Sequence, residues 1–133
     1  MASKVKDLMS SPAIFIDPEA TVAHAATLMR RRNIRSLVVS LEGNTFGIIT
    51  TTDVRDKIVA VDRDPSTTPV REIMTTPLAT AQPEWSLKEC SVTMKEAGVH
   101  HLPVLDQRGM IVGMISATDI FMAVEETGWG RPS

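Results

Sequence analysis

Apolar residues recur along the chain in two rhythms, and the pair of rhythms is written twice. Val22, Ala25, Ala26 and Met29 fall at the spacing of one helical face, and Leu87, Cys90, Met94 and Ala97 repeat that spacing further on. Each helical stretch is followed by two short apolar or β-branched runs, Leu37–Ser40 and Thr45–Thr50 in the first half, Leu102–Leu105 and Ile111–Ser116 in the second. Glu42-Gly43-Asn44 and Gln107-Arg108-Gly109 separate the runs, so each pair reads as two strands joined by a turn. A short strand, Ala13–Ile16 or Leu78–Ala81, precedes each helix, and a closing helix follows each pair, Val54–Val61 and Ile120–Glu126. Thr21 and Ser86 stand as N-caps, and Ser86 with Glu89 has the spacing of a capping box.

The duplication holds residue by residue. Val5-Lys6-Asp7-Leu8-Met9-Ser10-Ser11-Pro12 matches Val70-Arg71-Glu72-Ile73-Met74-Thr75-Thr76-Pro77 at an offset of 65. Asp17-Pro18-Glu19 falls on Gln82-Pro83-Glu84, and Met29 on Met94. One residue inserted in the second loop makes the offset 66, which lays Gly47-Ile48-Ile49-Thr50-Thr51-Thr52-Asp53 on Gly113-Met114-Ile115-Ser116-Ala117-Thr118-Asp119. The repeats span 5–62 and 70–127, with 63–69 as linker. A β-α-β-β-α unit of about 60 residues buries only about 60% of its unfolded surface and is marginal alone. The expected fold is therefore α/β (α+β), two tandem repeats packed sheet to sheet with pseudo-twofold symmetry and a cleft on each side of the joint.

Composition narrows the function. Across 133 residues, 14 Lys and Arg oppose 16 Asp and Glu, for a net charge of −2. No basic field exists for nucleic acid or an anionic membrane. Arg30-Arg31-Arg32 suits a helix C-terminus in water. Cys90 is the single cysteine, so a reducing compartment is expected and the thiol reads as a helix core residue. No run reaches the roughly 18 apolar residues of a membrane span, and Met1-Ala2-Ser3-Lys4-Val5-Lys6-Asp7 lacks a signal-peptide core, so a cytoplasmic location is expected. His100 and His101 are adjacent on a strand and point to opposite sides, so no protein-held metal is expected. Neither a phosphate-cradling G-x-x-x-x-G-K-[ST] loop nor a nucleophile–base–orienter set is present.

The informative chemistry lies where an apolar strand runs into a helix: Thr50-x-x-Asp53 and Ser116-x-x-Asp119. A carboxylate there can accept hydrogen bonds from the vicinal hydroxyls of a ribose, and the hydroxyl with helix-start N–H groups favours a phosphate nearby. Gly47 and Gly113, before the last apolar pair of each strand, leave room for a flat group against the backbone. Thr, Ser and Asp are also ordinary N-caps, but two copies at equivalent places in a duplicated unit favour a ligand site over capping alone.

Met9-Ser10-Ser11-Pro12, Asp17-Pro18 and Gly47-Ile48-Ile49-Thr50-Thr51-Thr52-Asp53-Val54 resemble a CBS domain, named for cystathionine β-synthase. Met74-Thr75-Thr76-Pro77, His100-His101-Leu102-Pro103-Val104-Leu105-Asp106 and Gly113-Met114-Ile115-Ser116-Ala117-Thr118-Asp119-Ile120 resemble a second, so the chain looks like a stand-alone CBS pair, or Bateman module. The resemblance implies a non-enzymatic sensor that binds adenosine-containing ligands (AMP, ADP, ATP, S-adenosylmethionine or a cyclic dinucleotide) in the clefts between repeats, with Mg²⁺ only as a companion of a nucleotide. Ribose and phosphate contacts then fall on Thr50, Thr52, Asp53, Ser116, Thr118 and Asp119. Phosphate-facing positions fall on Arg35, Ser36, His100 and His101, and the base pocket on Ala13, Ile14, Phe15, Leu78, Ala79 and Thr80. The second copy keeps Leu102-Pro103-Val104 where the first has Leu37-Val38-Val39, and its phosphate-facing positions are better furnished.

The closing helices are apolar almost all round, which predicts a twofold homodimer through Val54, Ile58, Ile120, Phe121 and Val124. The output would pass to a separate effector protein or to dimer geometry. Two alternatives remain open: a ligand-free interaction module whose Thr-x-x-Asp residues only cap helices, and a nucleotide-hydrolysing enzyme.

Overall fold

The computed structural model describes residues 3–43, 45–77 and 79–127. Of the positions named from the sequence, Met1, Ala2, Asn44 and Leu78 lie outside them, as does the stretch 128–133.

The local signals place the main elements. Helix α2, Val22–Arg32, starts at Thr21, whose Oγ1 accepts the His24 N–H at 3.1 Å, and ends at Asn33, which takes the left-handed conformation (φ 54°). Helix α4, Leu87–Ala97, starts at the Ser86–Glu89 capping box and ends at Gly98 (φ 67°). Strands β2 (Ser36–Ser40) and β3 (Phe46–Thr50) pair antiparallel, as do β4 (His101–Leu105) and β5 (Ile111–Ser116). Two pieces of helix lie outside the sequence reading: α1, Val5–Leu8, and a 3₁₀ turn, Val70–Glu72.

The lead-in strands are shorter than the apolar runs suggest. The first is β1, Phe15–Ile16, parallel to β2 at Val38 and Val39. The second reduces to one parallel bridge between Ala81 and Val104, since Ala79 and Thr80 make no ladder. The closing helices begin earlier than the apolar pattern indicates. Helix α3, Thr51–Val54, continues as a π-helical turn, Arg55–Val59, and α5 runs Ala117–Thr127.

Packing does not follow the repeat boundaries. One unit gathers 3–13 with 79–127, and the other is Ile14–Pro77. The opening segment of each repeat thus joins the body of the other copy. Ser10 and Met114 exchange both backbone hydrogen bonds, at 2.8 and 3.0 Å, and Thr75 and Ile48 do the same at 2.8 Å each. Val5 N–H donates to the Trp85 carbonyl at 2.9 Å, and Val70 N–H to the Ala20 carbonyl at 2.8 Å.

Each unit has its own core. Ile16, Val22, Ala25, Met29, Leu37, Val39 and Ile49 fill one, closed by Val70 and Ile73 of the segment after the linker. Cys90, Met94, Leu102, Val104 and Ile115 fill the other, closed by Val5. The strap residue Val5 or Val70 is wholly buried in each case, which is how a short body acquires enough apolar surface to be stable. Among the described residues no helix is long and apolar enough to cross a membrane.

Candidate functional site

The two strand-to-helix junctions have closely similar backbones. In the first, Asp53 N–H donates to Thr50 Oγ1 at 3.1 Å, and Asp53 Oδ2 accepts the Thr50 N–H at 2.9 Å and the Thr50 hydroxyl at 3.2 Å. In the second, Asp119 N–H donates to Ser116 Oγ at 3.0 Å while Asp119 Oδ2 accepts the Ser116 N–H at 3.0 Å. Both are complete capping boxes, so the capping role of these residues is real. A carboxylate has acceptor capacity beyond one cap bond, so capping leaves the ligand role standing.

Strand register brings the residues expected to face phosphate to each junction. Ser36 pairs with Thr50, and Thr51 N–H donates to the Arg35 carbonyl at 3.0 Å. His101 pairs with Ser116, and Ala117 N–H donates to the His100 carbonyl at 2.8 Å. Arg35, His100, Thr52 and Thr118 are exposed, His101 is half-buried and Ser36 is buried. The base-pocket positions are mixed: Ala13 is buried, Ile14 and Ala79 half-buried, and Phe15 and Thr80 exposed. Ala79 packs on the second core. Arg30, Arg31 and Arg32 lie exposed in the last turn of α2, where their charge complements the helix dipole.

The electrostatics of the two acids differ. Asp53 is buried, and its Oδ1 pairs with Lys57 Nζ at 3.0 Å, one helical turn on. Lys57 also donates to the Ile73 carbonyl at 2.9 Å. Asp119 is half-buried, and among the described residues no cation pairs with it. Lys57 escaped the sequence reading, although Asp-x-x-x-Lys is the i, i+4 spacing of a helical ion pair.

Two expectations are corrected. A Cβ on Gly113 would lie 2.6 Å from the Ser10 carbonyl and 2.9 Å from Met9 Sδ, and one on Gly47 would lie 2.6 Å from Met74 Sδ. The room these glycines provide is already taken by the Met-x-x-Pro straps, so it serves backbone approach and not a flat ligand. In the closing helices, Ile58 and Ile120 are turned into their own cores, 2% and 7% exposed, and Val54 and Val124 pack against those cores. Only Phe121 of the expected interface set stands clear, 65% exposed, next to the exposed Met122. A closing helix in a small body can bury more of its girth than one face, because strap and strands approach it from different sides.

Cys90 is fully buried, and burial pushes its thiol up to about 11, the behaviour of a packing residue. Among the described residues no cluster of three His, Cys, Asp or Glu side chains could hold a metal. A pocket of about 440 Å³ opens between the end of α4 and the start of α5, floored by Met94, Val99 and Ile120 and edged by Ser91, Lys95 and His100.

Tandem β-α-β-β-α bodies with a hydroxyl–acid pair at each strand-to-helix junction define a class of regulatory modules. The profile described as "CBS domain" matches residues 5–60 and 70–126. The chain belongs to the CBS domain family. It is 33% identical over 118 residues to the CBS domain-containing protein YhcV of Bacillus subtilis, covering 89% of this chain and 83% of that one. It also spans 22–24% of the length of several relatives named as enzymes. Among solved structures it superposes on a hexameric CBS-CP12 protein from bloom-forming cyanobacteria with TM-score 0.87 and 28% identity, covering 98% of this chain and 76% of that one. It also matches the fold of the CBS domain pair of protein MJ0100, solved in complex with 5-methylthioadenosine and S-adenosyl-L-methionine (TM-score 0.81, 24% identity, 96% of this chain and 99% of that one).

Proposed function

We propose that the chain is a non-enzymatic regulatory module that binds an adenosine-containing ligand (AMP, ADP, ATP, S-adenosylmethionine or a cyclic dinucleotide) through the acid at a strand-to-helix junction. The observation that carries the reading is the junction at Ser116 and Asp119, where a carboxylate with spare acceptor capacity stands beside His100 and His101. Vicinal ribose hydroxyls donate to that carboxylate, and the imidazoles and Thr118 face the phosphate or sulfonium end. The fold it shares with the MJ0100 pair is one on which adenosyl ligands are seated. Mg²⁺ enters only with a nucleotide. The module works in the cytoplasm as a homodimer and signals to a separate effector protein through whichever arrangement the ligand favours.

A thermal-shift panel tests this with AMP, ADP, ATP, S-adenosylmethionine and cyclic di-AMP, and GMP as control. A ligand at 100 times its Kd stabilises by about 2.7 kcal/mol. Asp119→Asn abolishes that shift. The complete capping boxes support the rival reading, an interaction module without ligand. On that reading no compound in the panel moves the melting temperature, and Asp119→Ala costs only the about 0.5–2 kcal/mol of a lost cap.

A further inference from the structure

The two copies of the hydroxyl–acid motif differ in what their carboxylates already hold. An ionised carboxylate offers about four acceptor sites. Asp53 has three donors on it: the Thr50 N–H, the Thr50 hydroxyl and the Lys57 ammonium at 3.0 Å. Its side chain is 9% exposed, and Lys57 is tethered from the other side by the Ile73 carbonyl. Asp119 accepts the Ser116 N–H, is half-buried and is paired with no cation among the described residues. At the offset of 66 that aligns the junctions, the counterpart of Lys57 is Ala123, whose methyl side chain carries no charge.

A sugar hydroxyl taking the place of Lys57 on Asp53 Oδ1 would exchange an ion pair with a cationic donor for a hydrogen bond from a neutral one. It would also leave the ammonium without its counter-ion. At Asp119 the hydroxyls meet no such competitor among the described residues. We infer that Lys57 sets the ligand stoichiometry: by holding the Asp53 carboxylate it closes the first ribose position, so each chain takes up one adenosyl ligand, at Asp119. This rests on the adenosyl-binding reading above and adds which junction is used and which residue decides it.

Isothermal titration of the full chain with AMP, ADP, ATP, S-adenosylmethionine and cyclic di-AMP as probes, run on wild type and variants, tests the inference. Wild type binds one equivalent of at least one probe, and Asp119→Asn loses it. Lys57→Met, which keeps the aliphatic stem and removes the ammonium, binds two equivalents, while Lys57→Arg, which keeps the cation, still binds one. Lys57→Gln is the substitute should Lys57→Met fail to fold, and circular dichroism checks each variant. Two equivalents in wild type overturn the inference and leave the functional reading standing. So does a folded Lys57→Met or Lys57→Gln that stays at one, or an Asp119→Asn chain that still binds. No heat from any probe in wild type overturns the functional reading, and this inference with it.

Discussion

Gly113→Ala adds one methyl group where the Met9–Pro12 strap crosses β5. The new Cβ would sit 2.6 Å from the Ser10 carbonyl oxygen, against about 3.4 Å for an ordinary contact, so the strap must retreat by about 0.8 Å. That carbonyl is not free to move alone. It accepts the Met114 N–H at 3.0 Å, and Ser10 N–H donates to the Met114 carbonyl at 2.8 Å. Overpacking costs about 1–3 kcal/mol and two weakened backbone hydrogen bonds about 0.5–1.5 kcal/mol each. The stiffer unfolded chain returns about 0.4–1 kcal/mol, leaving a net loss of about 1–6 kcal/mol, about 3 kcal/mol at mid-range. Gly47→Ala is the internal control. Its Cβ also meets an atom at 2.6 Å, but that atom is Met74 Sδ, the mobile part of a thioether, and the Thr75 carbonyl stays 3.4 Å away. A swing of Met74 relieves the clash, so the loss there is at most about 1.5 kcal/mol. Urea unfolding followed by far-UV circular dichroism measures both variants beside wild type. The reasoning fails if Gly113→Ala is no more destabilised than Gly47→Ala.

Two further outcomes follow from the surface. Lys4 and Lys6 each donate to Glu84 at 2.8 Å, and these bonds hold its carboxyl down at about 2, below the usual 4.5. A depressed folded-state value means the stabilisation is present above about pH 4.5 and is lost as pH falls towards 2. The melting-temperature difference between wild type and Glu84→Gln should therefore shrink between pH 5 and pH 2.5. The group is exposed, so the difference is small, and an NMR titration midpoint near 4.5 would refute the assignment. Phe121 and Met122 project from α5 beyond what the core takes up, and a second copy covering them should bury about 1,200–2,000 Å² in total. Light scattering after size exclusion should show a dimer in wild type and a monomer for Phe121→Asp; a monomeric wild type would remove the dimer from the proposal.

Much of the candidate site was legible because its residues are close in sequence. Thr50 and Asp53, or Ser116 and Asp119, are three apart on a strand-to-helix turn, and that turn determines their geometry wherever it occurs. Arg35 and His100 could be placed beside those turns because a hairpin of known length brings its ends together. Lys57 was legible in principle from its spacing to Asp53, but a lysine on a polar helix face carries no mark of the buried partner beneath it. Ile58 and Ile120 were assigned to a subunit contact for a related reason. An apolar residue at Ile58 or Ile120 suits a subunit contact and a core equally well, and the choice depends on what else arrives at that side of the helix.

The chain's own pattern determined the duplication, the helices with their caps, the two hairpins and the pairing of hydroxyl with acid, since each depends on residues within a few positions or within one turn. Tertiary structure alone decided that each Met-x-x-Pro strap packs into the body of the other repeat. The bonds that seat it, Ser10 with Met114 and Thr75 with Ile48, run between backbone groups that every residue possesses. It also decided what Gly47 and Gly113 are for. An absent side chain records that something comes close, and only the folded chain shows that the visitor is its own backbone and a methionine.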